Sequence, residues 1–163
     1  LLGPATVSLA IPLWQQGHRL RRALVPVLAG LAAGSLVAVV SALGIARALG
    51  VDSETLAALA PKSTTAPVAI GIAQSLGGSP TLAAVLVLLT GITGAVIATP
   101  LLNALGVKDW RARGLAVGTA AHGIGTARAL QVHPRAGAYA GIGMGLNAIL
   151  TAFLAPFIFR AFG

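Results

Sequence analysis

Pro61-Lys62-Ser63-Thr64-Thr65-Ala66-Pro67 and Gly118-Thr119-Ala120-Ala121-His122-Gly123-Ile124-Gly125-Thr126-Ala127-Arg128 decide how this chain folds, because both interrupt otherwise apolar sequence. Pro67 lacks a backbone N–H and clashes with the turn before it, while Gly118, Gly123 and Gly125 favour non-helical backbone. Each stretch is therefore predicted to break near its middle, with Pro61, Pro67, Gly118 and Gly125 as the helix-breaking positions. Broken backbone at membrane depth is tolerated only where protein or a water-filled cavity satisfies its polar groups. That places a cavity at the two breaks.

The sequence around them is that of an integral membrane protein. Of 163 residues 56% are hydrophobic and 9% charged, with a mean hydropathy of +0.91; a soluble domain is about one-quarter charged. Residues 63–107 contain no Asp, Glu, Lys, Arg or His, and a spanning helix needs about 20 apolar residues. Full spans are predicted over 23–46, 81–107 and 136–159. Gly137, Gly141 and Gly145 share one face of the third, where close packing by another helix is expected. Aromatic girdles and alternating strands are lacking, which excludes an outer-membrane barrel. The fold class is all-α, polytopic, with internal repeats, inverted in topology, that contain broken or re-entrant helices.

Charge and cysteine narrow the function. There is no Cys, so disulfides, thiolate metal sites and Cys nucleophiles are excluded. The net charge of +8 lies in short basic clusters between apolar runs, as in cytoplasmic loops beside an anionic leaflet; no basic stripe with interleaved aromatics points to nucleic acid. His18 and His133 stand in basic loops with no third ligand nearby, so no metal is expected. Neither paired carboxylates nor a nucleophile with its base lies inside the membrane, so the protein is not expected to be an enzyme and no cofactor is implied. The opening Leu1-Leu2-Gly3-Pro4 is not a signal peptide and reads as the continuation of something longer.

The two interrupted stretches are copies. Ala48-Leu49-Gly50-Val51 recurs as Ala104-Leu105-Gly106-Val107, 56 residues later, and the same offset carries Leu59-Ala60 onto Leu115-Ala116 and Ser63 onto Thr119. Units of about 23–78 and 79–134 follow, with a final span at about 136–160, all within one domain, 1–163; a weaker third copy starts at Gly3-Pro4-Ala5-Thr6. If the interrupted segments return to the side they left, the Arg19–Arg22 cluster and the Lys108–Arg113 loop share one face, in keeping with the positive-inside rule. Each unit then crosses once and successive units are inverted, an arrangement that points to a transporter site at the interruptions.

Particular residues carry the chemistry. Lys62 beside Ser63, Thr64 and Thr65 can surround a small anion with an ammonium, hydroxyls and free amides; the alternative is that Lys62 snorkels to the interface while the hydroxyls bond back to helix carbonyls. Arg128 can clamp a carboxylate or be a loop charge. His122 is the only titratable side chain in its apolar stretch, and so the candidate for proton coupling or a buried packing residue. Thr119, Gly123 and Thr126 flank it and can meet substrate oxygens or satisfy broken backbone. Asn147 can bond across helices or line the cavity, with packing the favoured reading.

Leu2–Leu13, Pro61–Ala69 and Gly114–Arg128, in this order and spacing, resemble the signature segments of the LrgB/CidB family; Ala121 departs from that pattern, which has Ser before the His. Members include antiholin-like regulators of murein hydrolases and autolysis, and the plastid glycolate/glycerate translocator. The resemblance implies a multi-pass protein of the bacterial inner membrane, with further N-terminal spans and a small LrgA/CidA-type holin-like partner or a homo-oligomer. Two functions follow as expectations. One is a secondary transporter or facilitator of small monocarboxylates of the pyruvate, glycolate or glycerate kind, with proton coupling; the other is an antiholin- or holin-like regulator of murein hydrolase activity.

Overall fold

The computed structural model describes residues 24–162. Six helices occupy them: α1 (Leu24–Ala48), α2 (Ser53–Leu59), α3 (Ala66–Ser75), α4 (Pro80–Ala104), α5 (Trp110–Val132) and α6 (Pro134–Phe162). No strand occurs among the described residues. The expected third copy at Gly3–Thr6 and the basic cluster His18–Arg22 lie outside them.

Three helices, α1, α4 and α6, are long and apolar enough to cross a membrane. At 1.5 Å per residue the 25 residues of α1 and of α4 reach about 37 Å, against a hydrocarbon thickness of about 30 Å. Their large apolar side chains point outward: Val25, Val37 and Ile45 on α1, Val96 on α4, Phe153 and Phe157 on α6. In water this would be a liability, whereas in lipid it is what covers the protein.

Local chemistry sets the ends of these helices, and it does so twice. Val51 N–H donates to Ala46 O at 3.1 Å and Val107 N–H to Leu102 O at 3.0 Å, each closure passing through a glycine of positive φ, Gly50 (76°) and Gly106 (66°). An aspartate then caps the next helix in both places: Asp52 accepts from Thr55 N–H at 2.9 Å, and Asp109 from Arg111 N–H at 2.8 Å. Both carboxyls are held below the ordinary carboxylate range, Asp52 by the Thr55 amide and Asp109 by the Arg111 guanidinium. Ser79 caps α4 the same way, accepting from Leu82 N–H at 3.3 Å, and Pro80 occupies the first turn, where its missing N–H costs nothing.

The segments between the long helices double back. As one straight rod, α5 would separate its ends by about 35 Å; instead Trp110 stacks on His133 with ring centroids 4.7 Å apart. The reversal is at Ala121 (φ −126°, ψ 17°) and His122 (φ 41°, ψ −135°). The first arm packs alongside the start of α6, where Cβ atoms on Gly114 and Gly118 would strike the Ala136 and Ala140 carbonyls. The second arm returns, so that Gly137 meets Leu130 and Gly123 meets Met144. Between α2 and α3 the chain likewise reverses, through Ala60–Thr65: a Cβ on Gly78, beyond α3, would lie 2.8 Å from Ala57 Cβ on α2, and Ala58 and Ala73 share one apolar cluster with Ala83 of α4.

Three sequence expectations are corrected in detail. Gly118 and Gly125 do not form the break; both are in helical turns, where the missing side chain serves close packing, against Ala140 O for Gly118 and against Ala121 Cβ (2.6 Å) and Val117 Cγ1 (2.9 Å) for Gly125. Pro67 starts α3 rather than interrupting a helix, because proline's fixed φ suits the first turn. On α6, Gly145 faces open space, and Gly143 approaches Leu115 O and Thr119 instead.

Candidate functional site

Both reversals meet at one side chain. The Asn147 amide, on α6 and 1% exposed, donates to Ser63 O at 3.0 Å and to Thr119 O at 3.1 Å. Its own oxygen accepts from Ser35 Oγ on α1 at 2.6 Å and from Thr151 Oγ1 at 3.2 Å. Carbonyl oxygens only accept, so the nitrogen must face Ser63 and Thr119, and the orientation of the amide is determined by its partners. All four of its hydrogen-bonding positions are used. Ser63 and Thr119 are the two residues that the 56-residue offset superposes.

At the first reversal the polar groups are close-set. Lys62 Nζ donates to Ser63 Oγ at 3.3 Å and is half-buried. Thr64, buried, donates to Pro61 O at 3.0 Å, which ties down the turn. Thr65 is the N-cap of α3, yet its side chain makes no capping bond, so the first-turn amides of that helix depend on something other than this hydroxyl.

The second reversal is seated on α4. His122 Nε2 lies 2.9 Å from Val87 O, and since that carbonyl cannot donate, Nε2 carries the hydrogen. Gly91 makes room for the ring: a Cβ there would lie 2.6 Å from His122 Cε1. Gly94 does the same for the Ala121 methyl group. Thr126 Oγ1 donates to His122 O at 2.7 Å, a hydroxyl back-bond one turn along the returning arm. Among the described residues Thr119 Oγ1 is buried without a hydrogen-bond partner, an uncommon state that calls for an explanation.

Of the residues singled out from sequence, Ser63 and Thr119 come together through Asn147, Lys62, Thr64 and Thr65 cluster beside them at the first reversal, and His122, Gly123 and Thr126 form the second. Arg128 is not brought to this point. It is exposed, 3.5 Å from Gln131 Oε1, and lines a groove with Trp110 and Arg113 toward the base of the α5 hairpin. Asn147, expected from sequence to bond across helices or line the cavity, does bond across helices; that it joins both reversals is what the sequence reading did not foresee. A signal existed: Ser35, Gly91 and Asn147 stand at successive intervals of 56 on the three long helices, and each of them touches a reversal or the amide that joins the two. Among the described residues no group of His and carboxylates could hold a metal ion.

The arrangement has counterparts in sequence but not among solved structures, none of which matches. YxaC of Bacillus subtilis is 38% identical over 97% of this chain and 69% of its own length. A Haemophilus influenzae protein is 37% identical over 98% of the chain and 69% of its own length. Holin-like protein CidB of Staphylococcus epidermidis is 33% identical over 99% of the chain and 71% of its own length. The LrgB-like family matches residues 1–161, so the segment holding both reversals and their shared amide falls wholly within the match, and this membrane protein belongs to the LrgB-like family.

Proposed function

We propose that the protein is a secondary transporter or facilitator of small monocarboxylates, of the pyruvate, glycolate or glycerate kind. The observation that carries this reading is the meeting of two chain reversals on the buried Asn147 amide. Interrupted helices at equivalent positions of a repeat are where secondary transporters bind substrate. In this proposal the units at about 23–78 and 79–134 are inverted repeats, and the two hairpins re-enter the membrane and return to the side they left.

The chemistry follows from the tips. Lys62 supplies the positive charge, Ser63 and Thr65 supply hydroxyls, and the open first turn of α3 supplies amide donors and the positive end of its dipole. Thr119 Oγ1, which lacks a partner, is a further donor for a carboxylate or hydroxy group. Such donors suit a small hydrophilic anion. His122 is the proton-coupling group: with Nε2–H on Val87 O, Nδ1 is left to take a proton. Movement of the hairpins against α1, α4 and α6 then exposes the anion alternately to the two sides. A multi-pass position in the bacterial inner membrane, self-association and a small LrgA/CidA-type holin-like partner belong to the same proposal.

Reconstituted in proteoliposomes, the full-length protein is expected to take up labelled pyruvate or glycolate saturably. Lys62→Gln should cut uptake at least tenfold, roughly the loss of one charge-assisted hydrogen bond in a low-dielectric site, with thermal stability unchanged. Uptake that is unaffected by Lys62→Gln sinks the assignment. The second reading is a holin- or antiholin-like regulator of murein hydrolase, favoured by the name of the Staphylococcus relative. A non-saturable leak of solutes of many sizes would select it.

A further inference from the structure

Among the described residues Arg113 is a buried cation without a counter-charge. It is 8% exposed, and its guanidinium rests on neutral groups: Asn103 Oδ1 at 2.8 Å, Val107 O at 2.9 Å, Thr99 O at 3.4 Å and the Trp110 ring at 5.0 Å. The whole sequence holds three carboxylate side chains. Asp52 caps α2 with its neighbour Glu54 at the same helix start, and Asp109 is paired with Arg111 at 2.6 Å. Burying a charge is costly unless an opposite charge shares the site. Arg113 therefore lacks the partner that its position demands.

The surroundings say what that partner is. Arg113 lines a shallow groove between α4 and the α5 hairpin. Arg128, exposed and held only by a 3.5 Å contact to Gln131, stands on its rim. Lys108, Arg111 and Arg135 add positive charge at the same end of the molecule, Arg135 near enough to Asp109 to help hold that carboxyl low. The groove wall is apolar, formed by Ala98 and Leu102 of α4 and by Ala129 and Val132 of α5. It continues into the outward hydrocarbon surface at Ile97, Leu101 and Leu130. A small soluble anion would use the charges and leave that wall bare.

We infer that this groove binds an anionic phospholipid, its phosphate between Arg113 and the Arg128 rim and an acyl chain along Ala98 and Leu102. Basic pockets between membrane helices at the positively charged face are suited to such headgroups. The groove is separate from the Lys62 and His122 tips, so it stands whether or not those tips carry a substrate.

Native mass spectrometry of the delipidated full-length protein tests the assignment, with phosphatidylglycerol, phosphatidylcholine and inorganic phosphate as probes. Phosphatidylglycerol should be retained and phosphatidylcholine should not. Arg128→Ala, an exposed change that leaves the fold alone, should weaken retention about fivefold, the worth of one cation near a lipid surface. Leu102→Trp should fill the groove and weaken it by a similar factor with every charge intact, while Arg160→Ala, at the far end of α6, should change nothing. Equal retention of the two lipids, wild-type retention in Arg128→Ala or Leu102→Trp, or full displacement of lipid by inorganic phosphate would each overturn the inference, the last by making the site one for free anions.

Discussion

The hairpin of α2 and α3 turns through six residues, Ala60–Thr65, and carries Lys62 at its tip; the hairpin within α5 turns at Ala121 and His122 alone. The first is held by its own turn, through Thr64 to Pro61 O. The second is held from outside, its imidazole on Val87 O and its ring and methyl group let into Gly91 and Gly94. Both give a backbone carbonyl to Asn147. One tip thus carries a charge and is braced within its own turn, whereas the other is docked on α4. The difference teaches that the shared feature is the carbonyl-to-amide anchor, while the side chains at the tips are free to specialise.

Asn147→Leu breaks the comparison most severely, because it removes the donor for both tips at once. A single interhelical hydrogen bond in a membrane contributes only about 0.6 kcal/mol on average, but leaving two buried carbonyls unpaired costs about 1–3 kcal/mol each. The expected loss is about 2–6 kcal/mol, read as a fall in melting temperature in detergent. Hydrogen exchange should then open both reversals together; opening of one alone would mean that the anchor is not shared.

Gly91→Ala should act on one side only. Its new Cβ would sit 2.6 Å from the His122 ring, and such overpacking costs about 1–3 kcal/mol. Faster exchange is expected around His122 with Ala60–Thr65 unchanged. Equal loosening at both tips would show that the docked hairpin supports the other.

Thr119→Val sharpens the comparison with the smallest change in stability. Because Oγ1 has no partner, replacing it with a methyl group should shift stability by no more than about 1 kcal/mol, in the stabilising direction. Uptake should nonetheless fall, since the hydroxyl is left for substrate in the proposal above. A stable variant with wild-type uptake would reduce Thr119 to a backbone role through its carbonyl.

What could be read without coordinates follows the range of the forces involved. The three spans, the 56-residue recurrence and the interruption of both polar stretches were legible because hydropathy, glycine and proline act locally; α1, α4 and α6 begin and end within a few residues of their predicted limits. The exact place of the second break was not. Gly118 and Gly125 look like breakers in a string of letters, yet each was spent on close approach to a neighbouring backbone or side chain, and the turn fell on Ala121 and His122, where α4 offers a seat. Arg128 read as a tip residue for the same reason, since its distance in sequence from His122 is short and the course of the returning arm is not written in it.

Sequence by itself determined that this is a helical membrane protein with two interruptions, because burying uninterrupted apolar runs in lipid and breaking them at proline or glycine are consequences of composition over a few turns. Only the tertiary structure decided that the interruptions meet, and that Asn147 rather than any charged residue joins them. An amide can make three hydrogen bonds to three separate segments, beside one within its own helix, only after those segments have packed, and which carbonyls lie within reach is a property of that packing.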